Sequence, residues 1–326
     1  MRLSSRLVAT LGLSLMALSL PAAAEAPQDW QLSHGGFVTA ADVRPHNGLP
    51  QDRGDMLAAL AATPPDWAEA LTVYTWGRNF PWRDTTHSLA RFADNYNGAM
   101  PHVLPASVAH WGDAAFAAAP VFSALAGTGA FSRLAPEARI AFVEGATLAT
   151  IVNWTRFELA MAERKALAAE PNWALTNGSP KNWNEIFAFH FGPEGLHSVH
   201  AALAAVPGGA DVNAALYAVL ADGQVHLLEE HWAEDEAASV ARLLHEGSLR
   251  LLHAALSDAA AAPDEDRRAE AVMLARGLWL AAAEAMLTLA PDEIEGIEAA
   301  LAGTGDTALL LFATEAVDEA LAGLGG

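Results

Sequence analysis

From Pro136 to about Ala168 the chain runs PEARIAFVEGATLATIVNWTRFELAMAERKALA, and this stretch decides the fold class. Proline is tolerated in the first turn of a helix, where its missing N–H has no intrahelical partner to lose. Beyond it Ile140, Thr147, Ile151, Trp154 and Met161 recur at three- and four-residue steps, which places them on one helix face. Glu144 and Glu158 fall on or beside that same stripe. A carboxylate on an apolar face is destabilising unless it is paired, hydrogen-bonded or bound to a metal, so both acids are marked as candidates for function.

Outward from this helix the pattern repeats. Alanine-rich, apolar-periodic segments predict helices near 54–62, 66–76, 113–126, 194–205, 212–233, 235–259, 266–289, 292–302 and 306–322. Pro193 and Pro291 stand near helix starts, and Gly208-Gly209 and Gly303 near stops. Alternating β-branched runs are missing. The expected fold is all-α, made of antiparallel helical bundles joined by short loops.

An internal duplication is also expected. Residues 65–77 (PDWAEALTVYTWG) resemble residues 180–192 (PKNWNEIFAFHFG), each with Trp-x-Glu, an aromatic-rich apolar stretch and a glycine. Three shorter matches follow in the same order, equating His87 with His197, Asp113 with Asn213 and Glu144 with Glu246. The expected organisation is a signal peptide over 1–24, an irregular segment over 25–59, a first helical unit over 60–165, and a second over 180–326 that includes the C-terminal helices.

The leader reading rests on Arg2 and Arg6, an apolar stretch from Leu7 to Leu20, and small residues from Ala22 to Ala26. It predicts a periplasmic or secreted protein. No later run is long and apolar enough to suggest a membrane span once the leader is removed. The 326 residues contain no cysteine, which excludes disulfides, thiolate metal sites and cysteine nucleophiles. Against 39 acidic residues stand only 18 lysines and arginines, a formal charge of −21. Such a surface repels nucleic acid and attracts cations. Only Lys165 and Lys181 are lysines.

Residues 185–200 hold the densest set of potential ligands: Glu185, His190, Glu194, His197 and His200. Glu194 and His197 have the (i, i+3) spacing by which a carboxylate and an imidazole reach one ion from a helix. Di-iron carboxylate bundles need two such pairs, and one is found. Glu194 also suits the positive end of a helix dipole without any ligand. The run from His226 to Glu236 reads as a solvated helix end. Serine-hydrolase, zinc-protease, phosphate-loop and dinucleotide motifs are missing, so nothing demands turnover. Paired acids such as Glu69 and Glu185 could do glycoside chemistry, but both sit two residues after a tryptophan near a helix start, where capping explains them.

Residues 71–79 (LTVYTWGRN), 88–92 (SLARF) and 182–192 (NWNEIFAFHFG) together resemble the algal iron-assimilating, high-CO2-inducible periplasmic protein family, which has bacterial relatives. Phe157-Glu158-Leu159 stands where that family carries a His-Glu-Leu-like helix. The resemblance covers about 65–320 and implies an exported helical protein associated with iron uptake. Carried over by position, Glu158 and Glu185 match its acidic motif positions. Thr75-Trp76 replaces an acidic residue expected before Gly77, and Phe157 replaces the histidine expected before Glu158.

The leading expectation is therefore a protein that binds iron, or another transition metal such as zinc, for uptake or delivery. Carboxylate oxygen with imidazole nitrogen suits iron, zinc or manganese. The expected ligands are Glu158 and Glu185, with His87, His190, His197 and His200 as candidate nitrogen donors. The alternative is a metal-free binding or scaffold protein that keeps the same fold.

Overall fold

A computed structural model describes residues 27–82, 85–303 and 306–324, so the leader region expected over 1–24 lies outside the described residues. The protein is all-α, 74% helical. Two short antiparallel hairpins accompany the helices, β1 (Ser33–His34) with β2 (Phe37–Val38) and β3 (Pro81–Trp82) with β4 (Thr85–Thr86).

The N-terminal half is built of short helices. A 3-10 turn over Arg44–Asn47 leads into α1 (Gly48–Leu60), followed by α2 (Trp67–Trp76). Helix α1 starts six residues earlier than its sequence predicts, because Pro50 falls in the first turn, where it is tolerated rather than disruptive. After the second hairpin come α3 (Leu89–Ala93), α4 (Met100–Val103), α5 (Pro105–Trp111) and α6 (Ala118–Ala126). Of these, α3, α4 and α6 pack on α7 (Pro136–Ala166), the long helix that the sequence announces.

Helix α8 (Ser179–Phe191) returns alongside α7 and is followed by the single-turn-scale α9 (Val199–Ala204). Then come α10 (Gly209–Leu228), α11 (Glu234–Ala261), α12 (Glu265–Leu289), α13 (Ile294–Ala302) and α14 (Thr307–Leu324). Helices α7, α8, α10, α11 and α12 form a closed circuit, each packing on the next and α12 packing back on α7. Successive members alternate in direction: Trp183 bonds the carbonyl of Leu220 while His190 meets Asn213, so α8 and α10 are antiparallel. An odd circuit of alternating helices must contain one parallel pair, and here it is α7 with α12. Gly145 lies against Gly277, Asn153 bonds Leu280 and Arg156 bonds Ala281, positions rising together on both helices.

Helix α12 is long and apolar enough to cross a membrane by length and composition, but 72% of its most apolar window is buried inside the fold, as a core helix requires. The positions equated by the expected duplication sit in different settings. Glu69 is exposed and paired with Arg78, whereas Glu185 is buried; His87 is buried, whereas His197 is exposed. The duplication thus rests on the order of the sequence matches alone.

Candidate functional site

The site grows from the antiparallel pairing of α7 with α8. Helix α8 begins at Ser179-Pro180, with proline in its first turn, and stops at Gly192, whose φ of 66° ends the helical path. Lys181, Asn182 and Glu185 lie three and four residues apart, on the face turned toward Glu158 of α7. Asn182 ties the two acids together: its Nδ2 donates to Glu185 Oε2 at 3.0 Å and also to Glu158 Oε2. Its Oδ1 accepts from Lys165 Nζ, one helix turn and more beyond Glu158.

The N-terminal 3-10 turn packs on α8 and delivers His46. His46 Nε2 stands 2.9 Å from Glu185 Oε1, and its Nδ1 faces the Val43 carbonyl at 3.3 Å. Both ring nitrogens therefore face acceptors. Lys181 Nζ reaches the same Glu185 oxygen at 3.1 Å and donates to the Asp42 carbonyl at 3.0 Å.

These groups line one side of a cavity of about 170 Å³. The other side is aromatic: Phe80, Phe92, Tyr96, Trp154, Phe157 and Phe189. His87 completes that wall, its ring 5.0 Å from Phe80 and 5.5 Å from Phe92. Burial, helped by the charge of Arg91, lowers the His87 imidazole to about 4, so it is neutral at pH 7.

The two acids carry opposite perturbations. Burial pushes Glu158 well above the usual carboxylate range, and the adjacent Glu185 charge pushes it further. Burial also acts upward on Glu185, but the His46 charge and hydrogen bond and the Lys181 charge outweigh it and hold Glu185 low. The pair thus keeps one proton, on Glu158, and one negative charge, on Glu185. Around that single anion stand two ammonium groups and an imidazole.

Among the expected ligands, Glu158, Glu185 and His87 come together on this cavity. The other three histidines do not. His190 is buried further along α8, with Nε2 2.8 Å from Asn213 Oδ1. His197 lies in an exposed turn at a φ of 52°, its carbonyl bound by Arg53. His200 pairs with the Tyr217 hydroxyl at 2.8 Å and sits edge-on to His34. Glu144 is half-exposed beside Arg53, outside the cavity. Phe157 stacks on Trp154 as part of the wall, so an aromatic surface stands where the family resemblance places a histidine. Trp76 is largely exposed elsewhere, and the change at Thr75-Trp76 leaves this cavity untouched.

Sequence reasoning missed His46, Asn182, Lys165 and Lys181. Nothing local marks His46. The lysines did carry a signal, since the only two in the chain both line this cavity. Among the described residues, no three histidine, aspartate or glutamate side chains are set in advance around one point as a metal ligand set. Here Asn182 stands between the carboxylates, and Lys181 shares Glu185 with His46. The donor types suit a hard or borderline cation, provided that Asn182 and Lys181 give way.

Comparison with curated proteins finds no match, and comparison with solved structures finds none. The family of low iron-inducible periplasmic proteins does match, over residues 8–233, a span that contains every residue of this cavity. The chain belongs to that family, and the protein is periplasmic.

Proposed function

We propose that the protein captures an iron cation, as cargo for uptake or delivery, at the Glu158–Glu185 pair, with His46 and His87 as the nitrogen donors within reach. The observation that carries this reading is the pair itself. Two acids from separate helices are buried on one asparagine, and one of them remains neutral only by keeping a proton. A cation can replace that proton, because it stabilises both carboxylates as anions where burial alone does not. Family membership points the same way, toward a role tied to iron supply. His46 and Lys181 hold Glu185 ionised until the cation arrives, and Lys181 then must turn aside.

The test is titration of metal-free protein with iron(II), iron(III) and zinc(II), followed by calorimetry. Near-stoichiometric binding of iron, weakening as pH falls and lost in Glu158→Gln, is expected. A wild type that ignores all three ions at neutral pH sinks the reading.

One observation favours a second reading. Two ammonium groups face six aromatic rings across a small cavity, a setting that also suits a small organic acid without metal. In that case organic acids bind the metal-free protein, and Lys181→Met, rather than Glu158→Gln, removes the binding.

A further inference from the structure

The geometry points to a second binding site, for a small organic acid with an apolar body, in the cavity between α6, α7, α12 and α13. Its volume is about 510 Å³, within the range of small-molecule pockets. Its walls are aromatic and aliphatic. Trp111 stacks on Phe116 with ring centres 4.3 Å apart and lines the cavity, and Phe131 and Phe142 meet 4.7 Å apart at its base.

Two charged residues also line it, and they are not paired with each other. Glu298 is engaged by His110 Nε2 at 2.7 Å and by the Trp279 indole N–H at 3.4 Å. Arg276 is different. Among the described residues its side chain makes one hydrogen bond, to the Met273 sulfur at 3.5 Å, and has no carboxylate partner. Burial depresses its pKa, the mark of a partly dried guanidinium with no counter-charge. A planar guanidinium matches a carboxylate through two parallel hydrogen bonds. The missing partner is therefore an anion brought in by a ligand whose remainder fills an apolar space.

This cavity is separate from the Glu158 pocket. Phe142 and Glu158 lie sixteen residues apart on α7, roughly 24 Å at 1.5 Å per residue. Arg276, Trp279 and Glu298 also follow the family-matched segment, which ends at 233. The C-terminal helices thus add the charged side of this cavity, which the family match does not reach, and it stands whether or not iron binds at Glu158.

The probes are 3-phenylpropanoate, octanoate and the uncharged 3-phenylpropanol, titrated by calorimetry into the full chain near pH 7. Both acids are expected to bind, with 3-phenylpropanoate about tenfold tighter than the alcohol. Arg276→Met should erase that preference while leaving the alcohol's affinity alone. Ala302→Trp, which fills the cavity from its exposed rim, should weaken acid and alcohol together, and Glu158→Gln should change neither. The proposal fails if the acids give no heat at millimolar concentration, if acid and alcohol bind wild type equally, or if the preference survives Arg276→Met.

Discussion

Glu158 and Glu185 are chemically alike and physically opposite, which makes them separable by substitution. Glu158 is neutral in the folded protein, so Glu158→Gln replaces a protonated carboxyl with an amide of the same shape. Its folding stability at pH 7 should stay within about 1 kcal/mol of wild type, or rise. Glu185→Gln removes the anion that His46 and Lys181 share in a buried setting, and breaking a buried pair from one side costs about 3–5 kcal/mol. Urea unfolding of both variants checks the contrast; equal losses would mean that the proton is not held by Glu158. Both acids were legible in the sequence, Glu158 because a carboxylate on an apolar helix face stands out and Glu185 because it opens the segment densest in potential ligands. His46 was not, since a lone histidine in the stretch Arg44-Pro45-His46-Asn47 carries no periodicity, and its value comes from a turn packing on α8, more than 130 residues away in sequence.

Helices show how far periodicity can be read. Helices α7, α10, α11 and α12 were all expected close to their observed bounds. Helix α8, which carries half of the site, was expected only as a helix start near Glu185, without bounds. Eleven of its 13 residues are buried, polar ones such as Asn182, Asn184 and Glu185 included, so polarity does not separate a buried from an exposed face. What holds its neighbour α7 in place was equally hidden. At the α7–α12 crossing, a Cβ on Gly277 would lie 2.5 Å from the Ala146 nitrogen and 2.6 Å from the Phe142 carbonyl oxygen. Both are backbone atoms and cannot swing away, so these helices touch directly. Gly277→Ala should therefore cost about 1–3 kcal/mol through forced separation, where an ordinary exposed-helix Gly→Ala change would gain stability. Unfolding midpoints decide it. A stabilised Gly277→Ala protein would show that the crossing is looser than the structure has it.

At the scale of the whole molecule, the buried titratable groups set the pH range in which the fold survives. Burial lowers His87 to about 4, with the Arg91 and His46 charges assisting. It lowers His190 to about 4 against the Asn213 hydrogen bond, and His245 to about 3, where Arg156 adds to it. A base depressed in the folded state supports the fold above its unfolded pKa of about 6.5 and loses that support as pH falls toward the folded value. Glu158 has the opposite sign. Its folded pKa is raised, so its contribution is complete below the unfolded value of about 4.3 and is lost as pH rises through the folded one. Between about pH 5 and 6, unfolding lets three imidazoles gain a proton while Glu158 and Asp52, whose carboxyl burial raises to about 6, each give one up. The net uptake is about one proton, and stability should fall toward acid by about 1.4 kcal/mol per pH unit. Above about pH 7 the imidazoles are largely neutral and Asp52 largely ionised in both states, and Glu158 tilts the curve downward with rising pH. Urea unfolding across pH 5 to 9 should thus show a maximum near neutrality, and Glu158→Gln should flatten the alkaline side while leaving the acid side no shallower. Iron should act on the alkaline side as well: if a cation replaces the Glu158 proton, saturating iron abolishes that slope in wild type and has no effect on it in Glu158→Gln. An alkaline slope unchanged by both the substitution and the metal would place the proton, and with it the cargo site, elsewhere in the protein.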